Sequence, residues 1–477
     1  MSFLRRSLDV LCAAVLLAAL ATPLAAQDKM IGINVLLNRP ITDAILADLK
    51  TIGNVGQKLY EIRALLMVAR ESQLAVIRAK PYVAAANPDA EREGKPIDTV
   101  GATNFSVAVN AWDQDAINVS NFGSFVRQVG FNGSGVNVAV LDTGLLDTWR
   151  QYFPQQRILS QYGVAFQGGG AFSAGAVSVS PNKWEHDTSS HGTHVTSTIL
   201  GYSLFGTPIH GVAPLANVIP VKVLNQNGSG FSSVIAVGIV YVTNLKLGPL
   251  AGSPMVINMS LSGPVLDAVE KAAVDYAVAN GVIIVASAGN RGNTGVRFPG
   301  GYAPVISVAS AGWIGQWLPG GDGNPNNWWF ADNVLDPTSV SDFYISDFSS
   351  RKTSASQDLD VTAPGDWVVG PFQTQNGKPS YFFLSGTSMS SPHVAGIVAL
   401  MAQKNPGLNS ISGDPLNAEA ILEAAALPMN SGCRLIFFPG GSSTNICWGP
   451  GNDPATSVDA DGAGFITADA ALTLTPP

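Results

Sequence analysis

The chain has 477 residues, 46% of them hydrophobic and only 13% charged, with a formal net charge of −8. That composition excludes a disordered chain and provides for one large domain plus a smaller one. Residues 106–477 carry 14 basic against 24 acidic side chains, an acidic balance that repels nucleic acid and anionic lipid.

Residues 1–26 read as a secretory signal, because Arg5 and Arg6 precede an apolar run from Val10 to Leu20 that closes on Leu24-Ala25-Ala26. Cleavage is expected after Ala26, although Leu24 stands where a small residue is usual. The run is too short for a membrane anchor and is broken by Thr22 and Pro23. The arginine pair leaves a twin-arginine export route open. The mature chain is therefore expected outside the cytoplasm, extracellular or periplasmic, with no membrane attachment.

Residues 27–95 are predicted to form a small α+β domain of ferredoxin-like order. The pattern reads strand Ile31–Leu37, helix Thr42–Thr51, strands Gln57–Glu61 and Ala64–Val68, helix Glu71–Arg78 and strand Tyr82–Ala86. Asn87–Pro96 is polar and aperiodic, which predicts an exposed linker, and residues 96–105 are expected to hold a processing region.

Residues 106–477 are predicted to be an α/β domain with a mostly parallel sheet and helices on both faces. Buried strands are expected at Val136–Leu141, Val218–Leu224, Met255–Leu261, Val282–Ala288 and Val305–Ala309. A helix is expected over Pro264–Asn280, ended by Gly281. The site should lie at the carboxyl ends of the strands. Residues 311–345 interrupt this rhythm with Trp313, Trp317, Trp328 and Trp329, and read either as a lid that contacts substrate or as a self-packed excursion. Cys12 leaves with the signal. In an oxidising compartment Cys433 and Cys447 are expected to pair, closing a loop worth about 3 kcal/mol in unfolded-state entropy, with two reduced thiols as the alternative. Two cysteines are too few for a zinc site of the usual kind.

The stretch GTSMSSPHVAG (386–396) carries the first chemical signal. Gly386 and Thr387 allow a tight turn, Pro392 suits the first turn of a helix, and an apolar helical run follows. Ser388 is thus expected at a strand-to-helix turn, its backbone N–H near the positive end of the helix. A lone serine in that position is more often a cap. A nucleophile needs a base, and the base an orienting acid. Of the five histidines, His191 opens the helical run HGTHV (191–195), where the dipole favours neutral imidazole, and His194 reads as packed core. Asp142 ends the strand VNVAVL ahead of Thr143 and Gly144, a place where an isolated aspartate is ordinarily a turn residue.

The order Asp142, His191, Ser388, within VAVLDTG (138–144), HGTHV and GTSMSSPHVAG, resembles the subtilisin-like serine peptidases. The resemblance extends through GVAP (211–214), VKVL (221–224), INMSLSGP (257–264), SAGN (287–290), FPGGYAPVISVAS (298–310), DVTAPG (360–365) and GAGFITADAAL (462–472), and covers roughly residues 106–475. It implies Ser388 as nucleophile, His191 as general base and Asp142 as its orienting acid. It also implies Asn290 and the Ser388 N–H as oxyanion donors. Ser260, Leu261 and Ser262 would bind substrate backbone on one side of the first specificity pocket, with Ala288 and Gly289 as the other wall. Residues 27–95 resemble that family's propeptide, an intramolecular inhibitor.

This chain departs from the family pattern at several places. Ser262 stands where glycine is usual, and Arg291 follows Asn290, which suggests a first pocket that favours acidic side chains. Ser190 precedes HGTH where glycine is common, and Thr196-Ser197 replace a usual Ala-Gly pair. GYSLFGTPIH (201–210) lies where many members carry a calcium loop yet has no carboxylate or Asn, and the DADG run (459–462) lacks the later ligands of a calcium loop. No metal site is assigned and no cofactor is required for the chemistry; a structural calcium has no clear site. The expected function is a secreted serine endopeptidase acting through an acyl-enzyme and made as a self-processing zymogen. Its partners would be polypeptide substrates and its own propeptide, and it is expected to be a monomer. The rivals are a serine esterase on the same triad and an inactive homologue serving as a secreted binding module.

Overall fold

A computed structural model describes residues 28–102, 111–120, 127–318, 334, 338–373, 378–429, 431–448 and 459–477. The proposed signal, part of the expected processing region, and Trp328 and Trp329 lie outside the described residues.

Residues 30–88 form a four-stranded antiparallel sheet in the order Asn54–Leu59, Ala64–Arg70, Met30–Leu37, Val83–Pro88, with helices Asp43–Lys50 and Leu74–Arg78 on one face. Alternation along the strands divides their side chains between two cores. Ile33, Val35, Leu65 and Met67 pack with Ile45, Leu49 and Ile77 of the helices. Leu59, Ala64 and Leu66 point the other way, into a core shared with the large domain. The strand expected at Gln57–Glu61 runs Asn54–Leu59 instead, because Tyr60–Arg63 form the turn that brings Ala64 opposite Leu59.

The large domain is built on a nine-stranded sheet. Its order is Phe343–Ile345, Ile306–Trp313, Val282–Ser287, Met255–Met259, Asn137–Asp142, Asn217–Lys222, Val164–Gly168, Val177–Ser180, with Val361–Pro364 also paired to Ile306–Trp313. All pairings are parallel except those of Phe343–Ile345 and Val177–Ser180. Both faces are buried, as a parallel sheet requires. Val138, Val140, Val256 and Val285 face the helix Thr387–Lys404, while Ala139, Leu141, Ile257 and Ile284 face the helices Ser232–Leu247 and Ala268–Ala279.

Several boundaries differ from the sequence reading for local reasons. The helix expected from Pro264 starts at Ala268, since the Asp267 carboxylate accepts from the N–H groups of Val269 and Glu270 and caps it there. Pro392 lies inside the helix Thr387–Lys404 rather than in its first turn, because helical backbone already begins at Thr387. The strand expected to end at Ala309 continues to Trp313, where Phe343–Ile345 returns antiparallel to it. Trp313 and Trp317 therefore belong to the core: Trp313 stacks on Trp112, and Trp317 packs edge-on against Trp367 and Phe383. Cys433 and Cys447 face each other across the hairpin Gly432–Phe437/Ser443–Trp448 and are disulfide-bonded.

The largest departure concerns Asn87–Pro96, which is not an exposed linker. Glu91–Glu93 pair antiparallel with Ser229–Phe231, Glu93 pairs on its other side with Ser262, and Arg92 is fully buried. Asp98–Gly101, within the expected processing region, add a strand beside Tyr381–Ser385. Asp89 supplies the cap that the helix Ser232–Leu247 lacks in its own sequence, where the preceding residue is Phe231. Its carboxylate accepts from the Ser233 N–H at 3.0 Å, from Ser232 Oγ at 2.9 Å and from Ser233 Oγ at 2.6 Å. Asn34 donates to Asp89, Ser232 and Asp267, which ties the small sheet to both helix starts.

Asp89→Ala is expected to lower the stability of the full-length chain by about 1–2 kcal/mol, the usual cost of a lost cap, in equilibrium denaturation. Asp89→Asn, which keeps an acceptor oxygen, should lose less. Equal losses in both variants would show that the cap is not what Asp89 contributes.

Candidate active site

Asp142 ends its strand, and His191 is the first residue of the helix His191–Leu200. Both are fully buried, and His191 Nδ1 lies 2.8 Å and 3.0 Å from the two Asp142 carboxylate oxygens. The carboxylate is fixed in turn by the Thr143 N–H at 2.6 Å. Thr143 Oγ1 accepts from the Gly192 N–H at 2.9 Å and donates to Asp187 at 2.8 Å. Asp187 also accepts the N–H groups of Ser189 and Ser190 and lies 3.9 Å from the Lys222 ammonium, which itself donates to the Thr143 carbonyl. Burial pushes the Asp187 carboxyl up to about 6 against the pull of Lys222. Nothing local in the sequence marks Asp187, and Lys222 is visible there only as part of the buried strand expected at Val218–Leu224. Ser190 has a positive φ of 69°, which explains why glycine suits this position. His194 is core, as expected: its Nε2 lies 3.2 Å from the Val368 carbonyl, and burial lowers its pKa to about 3.

Ser388 is the second residue of the helix Thr387–Lys404, so its backbone N–H lies in the first turn, where no intrahelical acceptor exists. Its carbonyl would bond to the N–H four residues on, but that residue is Pro392. Ser260 Oγ donates to the freed carbonyl instead, at 2.8 Å. The Ser388 hydroxyl donates to the Ser260 carbonyl at 3.2 Å, and His191 Nε2, which is buried, has no hydrogen-bond partner. Asn290 Oδ1 accepts from both the N–H (2.9 Å) and the hydroxyl (2.7 Å) of Thr387. Those bonds hold the amide oxygen on Thr387, so Nδ2 is the end of the amide turned away from it.

The segment Glu91–Ile97 crosses this constellation. Ser262 and Glu93 exchange both backbone hydrogen bonds at 2.9 Å, and the Gly94 N–H donates to Gly228 at 2.8 Å. A methyl group on Gly94 would lie 2.8 Å from the Ser260 carbonyl oxygen and 3.5 Å from His191 Cε1. A methyl on Gly386 would lie 3.4 Å from Asn290 Nδ2 and 3.8 Å from the Pro96 Cα. Lys95, exposed, is thus the residue that links Gly94 beside the imidazole to Pro96 near the Asn290 amide. The strands expected at Met255–Leu261 and Val282–Ala288 end earlier, at Met259 and Ser287, so Ser260, Leu261, Ala288 and Gly289 all follow strand ends. Arg291 follows Asn290 and already has a carboxylate partner. It is half-exposed and pairs with Glu93 at 3.5 Å. The cation against the wall is Arg297, whose Cγ and Cδ would lie 2.8 Å from a methyl on Gly289.

Among the described residues one carboxylate cluster could hold a cation, formed by Asp358, Asp360 and Glu419. Asp360 is fully buried and its Oδ1 has no partner. Oxygen donors alone suit a hard cation such as calcium. Burial, then the charges of Asp358 and Glu423, push the Glu419 carboxyl up to about 8, and burial raises Asp360 well above the carboxylate range. The two suspected calcium stretches hold other structures. Gly201–Leu204 and Thr207–His210 form a hairpin, and Asp459 closes a turn by accepting the N–H groups of Asp461 and Gly462.

A sequence profile described as the subtilase family matches residues 133–449. Subtilisin DY of Bacillus licheniformis is 32% identical over 289 residues, 60% of this chain and 83% of the relative. Thermitase of Thermoactinomyces vulgaris is 31% identical over 279 residues, 58% of this chain and 79% of the relative. Among solved structures, fervidolysin from Fervidobacterium pennivorans, a keratinolytic enzyme related to subtilisin, superposes with a TM-score of 0.61 at 21% identity; the match covers 95% of this chain and 62% of that one. Sphericase superposes with a TM-score of 0.53 at 26% identity, covering 76% of this chain and 99% of that one.

Glu419→Gln is expected to raise the melting temperature at pH 9 in the presence of a chelator, with the gain vanishing toward pH 4. A carboxyl raised from 4.5 to about 8 contributes stability below its unfolded value and loses it as pH rises through the folded one. Only the ionised form carries the cost that glutamine removes. A gain that does not depend on pH would overturn this account.

Proposed function

The chain belongs to the subtilase family, and from that premise we propose that it is a secreted serine endopeptidase made as a self-processing zymogen. One observation carries the reading. A segment of the chain itself lies as an added strand across a buried Asp142–His191 pair, Ser388 at a helix start and an oriented Asn290 amide.

In the proposed mechanism the Ser388 hydroxyl leaves the Ser260 carbonyl and donates to His191 Nε2, which has no other partner. Ser388 Oγ attacks the scissile carbonyl as the imidazole takes the proton, and Asp142, held by the Thr143 N–H, stabilises the imidazolium. Negative charge develops on the carbonyl oxygen between Asn290 Nδ2 and the Ser388 N–H, which need no reorganisation to receive it. Collapse of the tetrahedral intermediate transfers the proton from His191 to the leaving amine and leaves an acyl group on Ser388. Water, activated by the same imidazole, releases it.

Backbone pairing on both sides of Glu93 favours a polypeptide over a small ester, since an ester cannot supply those N–H and C=O groups. The signal sequence supports export, and residues 27–95 act as an intramolecular inhibitor until cut away.

Purified protein is expected to hydrolyse casein, with the activity lost to a serine-directed covalent inhibitor and in Ser388→Ala. Asn290→Ala should lower kcat by about 10²–10³, a magnitude carried over from subtilisin itself rather than derived from this site. Ser388→Ala protein should retain residues 27–95 while the natural sequence loses them. Casein cleavage that persists in Ser388→Ala would sink the mechanism, and intact residues 27–95 in both proteins would sink the zymogen reading.

A further inference from the structure

The buried Arg92 side chain is held by groups that belong to the large domain. Its Nε donates to Glu270 Oε1 at 3.0 Å, its Nη2 donates to Glu270 Oε2 and to the Val265 carbonyl (3.0 Å), and its Nη1 donates to the Glu91 carbonyl at 2.9 Å. Both members of the ion pair have no solvent-exposed side-chain surface. The pocket is shaped for a planar cation. A methyl on Gly263 would lie 2.4 Å from Arg92 Nη1, so only glycine there leaves room for the guanidinium. Glu270 sits in the first turn of the helix Ala268–Ala279, where Asp267 is the cap, so removal of Arg92 leaves two carboxylates at the pocket floor.

The backbone around Arg92 places this pocket in a substrate register. Glu93 pairs with Ser262, Gly94 donates to Gly228 and lies beside His191, and Pro96 lies near Gly386 and the Asn290 amide. In that register Lys95 is the residue whose carbonyl would be presented for attack, and Arg92 stands three residues before it. Once residues 28–95 depart, an extended polypeptide making the same backbone bonds delivers its own side chain to Glu270. A leucine there leaves the Glu270 carboxylate and the Val265 carbonyl without the donors that Arg92 supplies. A lysine supplies charge without the planar fork that meets both Glu270 oxygens at once.

We propose that Glu270 makes this pocket an arginine-selective subsite, so that the processed enzyme prefers polypeptides with arginine three residues before the residue whose carbonyl is attacked. The inference rests on the peptidase reading above.

The test uses enzyme that has processed itself from the full-length chain and fluorogenic peptides of the form Ala-X-Glu-Gly-Lys, with X as arginine, lysine, citrulline or leucine. The wild type is expected to cleave the arginine peptide with a kcat/KM about a hundredfold above citrulline and leucine, with lysine between them. Citrulline keeps the shape of arginine and removes its charge. In Glu270→Gln the arginine-to-leucine ratio should fall to within a few-fold of unity, and in Glu270→Asp it should fall only in part. Equal rates for all four peptides on the wild type overturn the subsite and leave the peptidase reading standing. Cleavage of none of them, nor of casein, overturns that reading and the subsite with it. A Glu270→Gln enzyme that keeps the wild-type ratio overturns the role of Glu270.

Discussion

The helix Thr387–Lys404 is buried along its length from Thr387 to Ala402, and the position of the chemical groups follows from that constraint. A helix packed on every side cannot leave its terminal polar groups to water, so they are met from neighbouring elements or reserved for a ligand. The Thr387 N–H meets Asn290 Oδ1, which fixes the orientation of the Asn290 amide. The carbonyl that Pro392 leaves free meets Ser260, one of the residues expected to hold substrate backbone. Proline inside a helix is ordinarily a defect. Here the missing bond fastens the serine's turn to the neighbouring strand end, which links nucleophile and substrate strand in one rigid unit.

The same logic governs how the small domain sits. Two helices of the large domain begin side by side, and only one carries its own cap. Asp267 caps Ala268–Ala279, whereas the start of Ser232–Leu247 depends on Asp89 from the small domain. Burial raises the Asp89 carboxyl, yet its bonds to Ser233 and Gly170 favour the charged form that a helix start also favours. Beyond the caps, Ser229–Phe231 and Ser262 present open backbone edges that an extended segment closes on both sides. Under the proposed function, the inhibitor and a substrate would draw on the same bonds.

What could be read from sequence was whatever is local. Short continuous apolar runs gave the parallel strands, the strand-ending Asp142 and the helix-starting His191 and Ser388 marked the candidate site, and the Gly usual at Ser190 has its reason in a φ of 69°. What could not be read was pairing across distance. Arg92 and Glu270 are 178 positions apart, and a glutamate–arginine–glutamate run looks like a solvated linker until its partner is known. Asp358 and Asp360 lie far in sequence from Glu419, so their cluster left no spacing to recognise. Trp313 and Trp317 misled in the opposite direction, because a Gly- and Pro-rich setting reads as a loop even where the indoles are core.

The Arg92 pair also bears on register, which decides which carbonyl reaches Asn290. A strand that slips by one residue turns every side chain to the opposite face. In Glu91-Arg92-Glu93 either single slip would bring a glutamate to the face where Glu270 is buried, and two carboxylates without solvent cannot both stay ionised there. Glu93 in its observed place is half-exposed and meets Arg291. A buried ion pair contributes little net stability over a well-packed apolar contact, but its wrong alternatives are heavily penalised. The alternating charges therefore hold the segment at one position rather than simply holding it tightly, and the pocket's chemistry and the placement of the attacked carbonyl become a single constraint.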